Sequence, residues 1–119
     1  MKSGGTWKLL RVFVSERDRL HGRPLYEAVV EVLHRAGLGG ATVFRGIEGY
    51  GTHEVVHAAR VLDVVPDLPV LIEVVDTEER IRAFLPTLDE MVTEGLVTLE
   101  TVEVIRYRSG PTKTKGTPP

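Results

Sequence analysis

Residues 53–57 read His53-Glu54-Val55-Val56-His57 and match H-E-x-x-H, the signature of zinc hydrolases. In that chemistry two histidines stand one helical turn apart and bind one metal ion. The glutamate between them polarises the metal-bound water as general base. The pattern carries meaning only on a helix and with a third ligand beside it. Thr52 is a fitting N-cap, and no breaker intervenes before Pro66, so a short helix over residues 52–63 is compatible with the sequence. By spacing alone the third ligand would be Glu73, Asp76 or Glu78. Glu73 falls in a strand pattern and the other two open a helix pattern, so nothing brings them to the histidines. Just before the motif stands Gly49-Tyr50-Gly51, which reads as a hinge at the root of a loop. The expectation is therefore a loop or short helix with exposed histidines, running on to Arg60. A small zinc-dependent hydrolase is the alternative.

The other reactive residues are scattered. His21 lies in a polar turn beside Gly22, and His34 falls on the polar side of a helix pattern. The pairs Glu78-Glu79 and Asp89-Glu90 sit on helix patterns. Solvated faces and N-terminal dipole partners account for them better than paired catalytic carboxylates do. No Ser-His-Asp spacing can be argued, and the absence of cysteine removes thiol nucleophiles, disulfides and Fe–S ligation.

These residues must be positioned by six elements. Residues 7–14, WKLLRVFV, alternate as a strand with Leu10, Val12 and Val14 on one face and Arg11 on the other. After the polar turn, Pro24 suits the first helical position, and Leu25, Ala28, Val29, Val32, Leu33 and Ala36 form one apolar stripe. Gly37 is placed to end that helix. Residues 41–47 read as a second strand, and residues 68–75, LPVLIEVV, as a third. Asp76 is expected to cap the next helix with Glu79 as its capping-box partner. Ile81, Phe84, Leu85, Leu88 and Met91 form that helix's apolar face, Pro86 should kink or split it near Phe84, and Gly95 closes it. Residues 99–108, LETVEVIRYR, read as the last strand, with Arg106 and Arg108 on alternate positions.

Strand–helix–strand twice over predicts an α+β ferredoxin-like βαββαβ domain, a four-stranded antiparallel sheet with two helices on one face. The domain should occupy residues 1–108, with a long connection over about 48–67. Residues 109–119, rich in Gly, Pro, Thr and Lys, are expected to be disordered. The other sheet face needs cover, which suggests further copies of the chain.

One domain is what 119 residues allow, and 42% hydrophobic with 27% charged residues is ordinary for a globular protein. A net charge of -2 argues against nucleic acid as partner. No uncharged apolar run reaches the roughly 20 residues of a membrane span, and the opening MKSGGTWK lacks the apolar region of a secretory signal. A cytoplasmic protein is the expectation.

The segments ERDRLHGRPLYEAVVEVLHRAGLGGATVFRGIEGYG and DLPVLIEVVD, with LDEMVTEGLVTLETVEVIRY, resemble the PII-like proteins of domain-of-unknown-function family 190. The resemblance spans about residues 9–107. It implies a trimeric, PII-like ferredoxin fold and a signalling role without catalysis. More distantly, the chain is similar to the PII nitrogen-regulatory proteins. Gly49-Tyr50-Gly51 stands where those proteins carry Gly-Phe-Gly at the base of a mobile T-loop. Arg106-Tyr107-Arg108-Ser109-Gly110 stands where they carry Arg-Ile-Arg-Thr-Gly. In PII proteins these segments line a nucleotide site between subunits. The resemblance therefore implies Gly49, Tyr50, Gly51, Arg106 and Arg108 as nucleotide-binding residues. It implies His53, Glu54, His57 and Arg60 as a partner-contacting loop. Two departures remove positive charge: Pro66 is followed by Asp67 rather than lysine, and residues 94–98, EGLVT, replace a lysine-bearing phosphate loop. AMP or ADP is accordingly expected ahead of Mg-ATP. A membrane transporter is the partner the resemblance suggests, and a structural trimer without ligand is a further alternative.

Overall fold

The computed structural model describes residues 5–50, 57–58 and 67–108. Strand β1, Trp7–Ser15, alternates as expected, with Leu10 and Val12 fully buried and Val14 nearly so. It is flanked by β3, Pro69–Thr77, whose Val70, Ile72 and Val74 turn to the same face. Strand β2, Thr42–Arg45, pairs with β3, and β4, Leu96–Val102, pairs with β1. The order is β2–β3–β1–β4, antiparallel throughout. Helices α1, Leu25–Arg35, and α2, Glu78–Met91, cover the inner face. Leu25, Val29 and Leu33 of α1 meet Ile81, Phe84 and Leu88 of α2 in one core with the inner residues of β1 and β3. The expected ferredoxin-like arrangement is thus the observed one.

The chain's local chemistry sets the ends. α1 finishes in a Schellman motif: Gly37 takes φ 87, its N–H donates to the His34 carbonyl at 3.1 Å, and the Leu38 N–H reaches the Leu33 carbonyl at 3.2 Å. Leu38 then drops into the core beside Leu33. The polar turn contains a two-residue ribbon, Arg19–Leu20 against Arg23–Pro24. His21 and Gly22 at its tip have φ 51 and φ 84, the positive angles of a type I′ hairpin, so His21 is a turn residue.

Five expectations are corrected. Pro24 is not the first helical residue but holds the N-cap position, and the Leu25 N–H donates to the Asp18 carbonyl at 2.8 Å. Pro86 does not split α2. The carbonyl it leaves unbonded, that of Arg82, lies at an exposed position where water can serve it, while Ile81, Phe84 and Leu88 hold the helix to the core. α2 is capped by Thr77, whose side chain accepts from the Arg80 N–H, and Arg80 at the third position excludes a capping box. Gly95 lies beyond the end of α2 at Met91; with φ 146, a Cβ there would stand 2.5 Å from the Phe13 carbonyl oxygen. The last strand runs over Leu96–Val102 rather than 99–108, because β1 offers partners only from Trp7 to Phe13. Residues 103–108 leave the sheet.

Candidate functional site

Two segments singled out in the sequence are brought to opposite ends of the sheet. At one end, β2 runs out past Arg45 beside the start of β3. The Gly46 N–H donates to the Pro69 carbonyl at 2.8 Å. The Pro69 ring packs so closely that a Cβ on Gly46 would lie 2.7 Å, and one on Gly49 3.0 Å, from its Cγ. Close approach thus favours glycine at 46 strongly, and at 49 a side chain would need the Pro69 ring to give by a few tenths of an ångström. Glu48–Gly49 pairs with His57–Ala58 as a short antiparallel ribbon, Glu48 opposite Ala58 and Gly49 opposite His57. The ribbon roots the connection, and Ile47 and Tyr50 beside it are strongly exposed.

That ribbon bears on the zinc motif. His57 lies in a strand, which removes the helical spacing that H-E-x-x-H chemistry needs. His53, Glu54, Gly51 and Arg60 lie outside the described residues, as does the 109–119 tail. The spacing-based third ligands are dispersed: Glu73 is on the outer sheet face bound to Arg11, Asp76 is on the inner face, and Glu78 pairs with Arg82 at 2.7 Å. Among the described residues no group of three or more His, Asp or Glu is placed to hold a metal ion.

Several carboxylates gather at the loop-root end. Ser15 Oγ is hydrogen-bonded to Asp67, and the Ser15 N–H donates to Asp18 Oδ2 at 2.9 Å. Arg45 is engaged by Glu16 at 2.6 Å, and the second Glu16 oxygen is buried without a hydrogen-bond partner among the described residues. Asp67 thus adds a carboxylate beside the loop root, where an incoming phosphate would be repelled.

At the other end, residues 103–108 turn across the start of β1. Gly5, Thr6 and Trp7 with residues 101–107 line an open groove of about 690 Å³. Tyr107 packs on Trp7, ring centroids 5.9 Å apart and tilted by 44°. Arg106 lines this groove; Arg108 is exposed beyond its lining. Contrary to the sequence reading, neither arginine lies on a strand. β1 separates the two ends by about 27 Å, at roughly 3.4 Å per residue from Trp7 to Ser15. Within one protomer, Gly49 and Tyr50 therefore do not meet Arg106 and Arg108.

Sequence reasoning missed the buried carboxylate. Asp76, only 3% exposed, ends the inner-face row Val70, Ile72, Val74. Its Oδ2 accepts from the Gly39 N–H at 2.7 Å, and its Oδ1 from the Thr77 N–H at 2.7 Å. It ties the α1–β2 turn to the start of α2. Continuing the β3 alternation by two residues would have placed it inward; its fitness as a helix cap hid that.

The strand order, the two helices on one face and the ribbon-rooted connection after β2 define a ferredoxin-like fold of the form seen in PII-like proteins. More particularly, the chain belongs to the DUF190 family, "Uncharacterized ACR", whose profile matches residues 7–104. It is 43% identical over 98 residues to a UPF0166 protein of Aquifex aeolicus, covering 82% of this chain and 92% of that one. A UPF0166 protein of Methanocaldococcus jannaschii is 36% identical over 100 residues, covering 83% and 92%. Among solved structures, CPII from Thiomonas intermedia K12, a nitrogen regulatory PII-like protein bound to ADP, AMP and bicarbonate, is similar at a TM-score of 0.57 and 22% identity. It covers 85% of this chain and 90% of that one. A PII-like signaling protein from Thermus thermophilus is similar at a TM-score of 0.56 and 20% identity, covering 85% and 91%. No helix of the described residues is long and apolar enough to cross a membrane.

Proposed function

We propose that this chain is a non-enzymatic, trimeric PII-like regulator that binds an adenine nucleotide between subunits and contacts its partner through residues 48–60. One observation carries the reading: the glycine root at Gly49 and the Arg106 segment sit at opposite ends of one sheet, so a site using both needs two copies of the chain. A head-to-tail ring brings the root of one copy to the C-terminal segment of the next. Gly49, Tyr50 and Gly51 then let the backbone approach the ligand, while Arg106 and Arg108 of the neighbour supply charge-assisted contacts to phosphate. The binding of ADP and AMP by CPII supports this ligand class. Asp67, standing where a lysine would draw phosphate in, favours AMP or ADP over a triphosphate, since each added negative charge meets its own. Nucleotide occupancy would then bias the order of the loop, and the loop would be read by a regulated protein such as a membrane transporter.

Calorimetry with AMP, ADP, ATP and cyclic nucleotides tests the ligand. AMP or ADP should bind more tightly than ATP, and Arg106→Ala with Arg108→Ala should abolish binding while the assembly persists. Absence of binding across the panel would sink the nucleotide reading, and unchanged affinity in the double variant would move the site elsewhere.

A further inference from the structure

We infer that Trp7 and Tyr107 form the platform on which the base of the adenine nucleotide stacks. This rests on the nucleotide reading above, in which the arginines hold phosphate and the glycines admit the ligand, and adds what holds the base. Trp7 is the only tryptophan of the chain and stands at the first position of β1. β4 ends at Val102, and residues 103–107 line the groove of about 690 Å³ together with Thr6 and Trp7. That volume is in the range of small-ligand sites. Tyr107 comes back over Trp7, ring centroids 5.9 Å apart and planes tilted by 44°. The contact occupies only part of the tyrosine, which lines the groove and stays 49% exposed. Aromatic surface is thus left open inside a concave site, where every nucleobase offers a π-face to match it.

The platform is fixed before a ligand arrives. The Tyr107 hydroxyl lies 4.0 Å from where a Cβ on Gly39 would stand, so the side chain is bracketed by Trp7 and the α1–β2 turn. That turn is itself anchored, because buried Asp76 accepts from the Gly39 N–H at 2.7 Å. On the other side, the Thr6 carbonyl accepts from the Glu78 N–H at 2.8 Å and ties the residue before Trp7 to the start of α2. Rings already held in place lose little freedom on binding. The charges beside them suit a base that carries phosphate. Arg106 lines the same groove, and Lys8 stands at its edge, with Nζ donating to Thr101 Oγ1 at 2.8 Å. Glu103 is the carboxylate among the lining residues. Among the described residues, 103–107 make no backbone–backbone hydrogen bond. Their N–H and C=O groups are therefore open to the edge of an adenine, which offers a ring acceptor beside its amino donor. Stacking supplies the affinity and the edge supplies the choice of base.

All tryptophan emission of the full chain comes from Trp7, so the wild-type protein reports on its own platform. Titration with AMP should change that emission with the same midpoint that calorimetry gives. Adenosine should change it too, whereas ribose 5-phosphate, which has no base, should not. Trp7→Leu should weaken AMP binding about ten- to a hundredfold in calorimetry, and Tyr107→Leu about tenfold. Trp7→Phe keeps an aromatic plane and should bring affinity back close to that of the wild type. Circular dichroism establishes that each variant is folded; should Trp7→Leu unfold, wild-type emission and Tyr107→Leu, which lies beyond the last strand, decide. AMP that binds without changing the emission, and with wild-type affinity in both leucine variants, would overturn the platform and leave the nucleotide site standing. An equal response to ribose 5-phosphate would put phosphate rather than the base beside Trp7, and would overturn the platform as well. A wild-type chain that binds no nucleotide would overturn both.

Discussion

The two faces of the sheet obey the same alternation and meet opposite fates. On the inner face, Leu10, Val12, Ile72 and Val74 are at most 1% exposed beneath α1 and α2. On the outer face, Phe13, Phe44, Val75 and Leu96 stand open, and the middle is held by Arg11 between two glutamates. The inner face is thus completed by the chain itself. The outer face leaves large apolar side chains exposed around an arginine held by two carboxylates. Intramolecular cover produces the domain, and a large apolar surface left open is the usual mark of an interaction site.

The sharpest way to break this contrast is to truncate one side chain on each face. Ile72→Ala should lower unfolding free energy by about 2–5 kcal/mol in a denaturant titration, because the fully buried site leaves a cavity. Phe13→Ser on the other face should cost the isolated domain far less and abolish assembly in sedimentation. Equal losses from the two would show that both faces are stabilised within the protomer. Asp76→Ala comes next, at about 3 kcal/mol, since it strands the Gly39 and Thr77 N–H groups; thermal unfolding measures it, and a neutral result would mean water replaces the carboxylate. Gly95→Ala should cost about 1–3 kcal/mol through its positive φ and the approach to the Phe13 carbonyl, loosening the β1–β4 edge in hydrogen exchange before the β1–β3 pair.

The smallest effect concerns pH and belongs to the helix side. Glu31 is held below the usual carboxylate range by its hydrogen bonds to Arg23 and Arg35, and Glu78 by its hydrogen bond to Arg82. A depressed folded pKa gives stability that is present above the ordinary carboxylate value and lost as pH falls through the lowered one. All three ion pairs are solvent-exposed, so the melting temperature should fall only slightly below about pH 4.5, less still in high salt. In Glu31→Gln that acid-side slope should shrink.

Much of this was legible in the residues. Period-two alternation placed Leu10, Val12 and Val14 inward and Arg11 outward, and the three-and-four spacing of Leu25, Val29 and Leu33 gave α1 its buried stripe. Other features resisted for physical reasons. Asp76 has the chemistry of a helix cap, but its place in the β3 alternation puts it inside, leaving the cap to Thr77. Pro86 breaks isolated helices, yet here its unbonded carbonyl partner faces water and the core holds both flanks. Residues 103–108 have strand-like composition and no partner strand, and residues 103–107 line the groove instead. His57 matched a helical metal motif, while its pairing with Gly49 is a long-range event that no local pattern encodes.

By itself, then, the sequence determined the elements, the α+β class and the faces on which apolar residues lie, because propensity and periodicity act over a few residues. Only the tertiary structure decided that Gly49 and Arg106 stand at opposite ends of the sheet, that Asp76 is an internal tie, and that one arginine is shared by carboxylates from two neighbouring strands. Those relations join residues as many as 89 positions apart, and strand register is what brings them into reach.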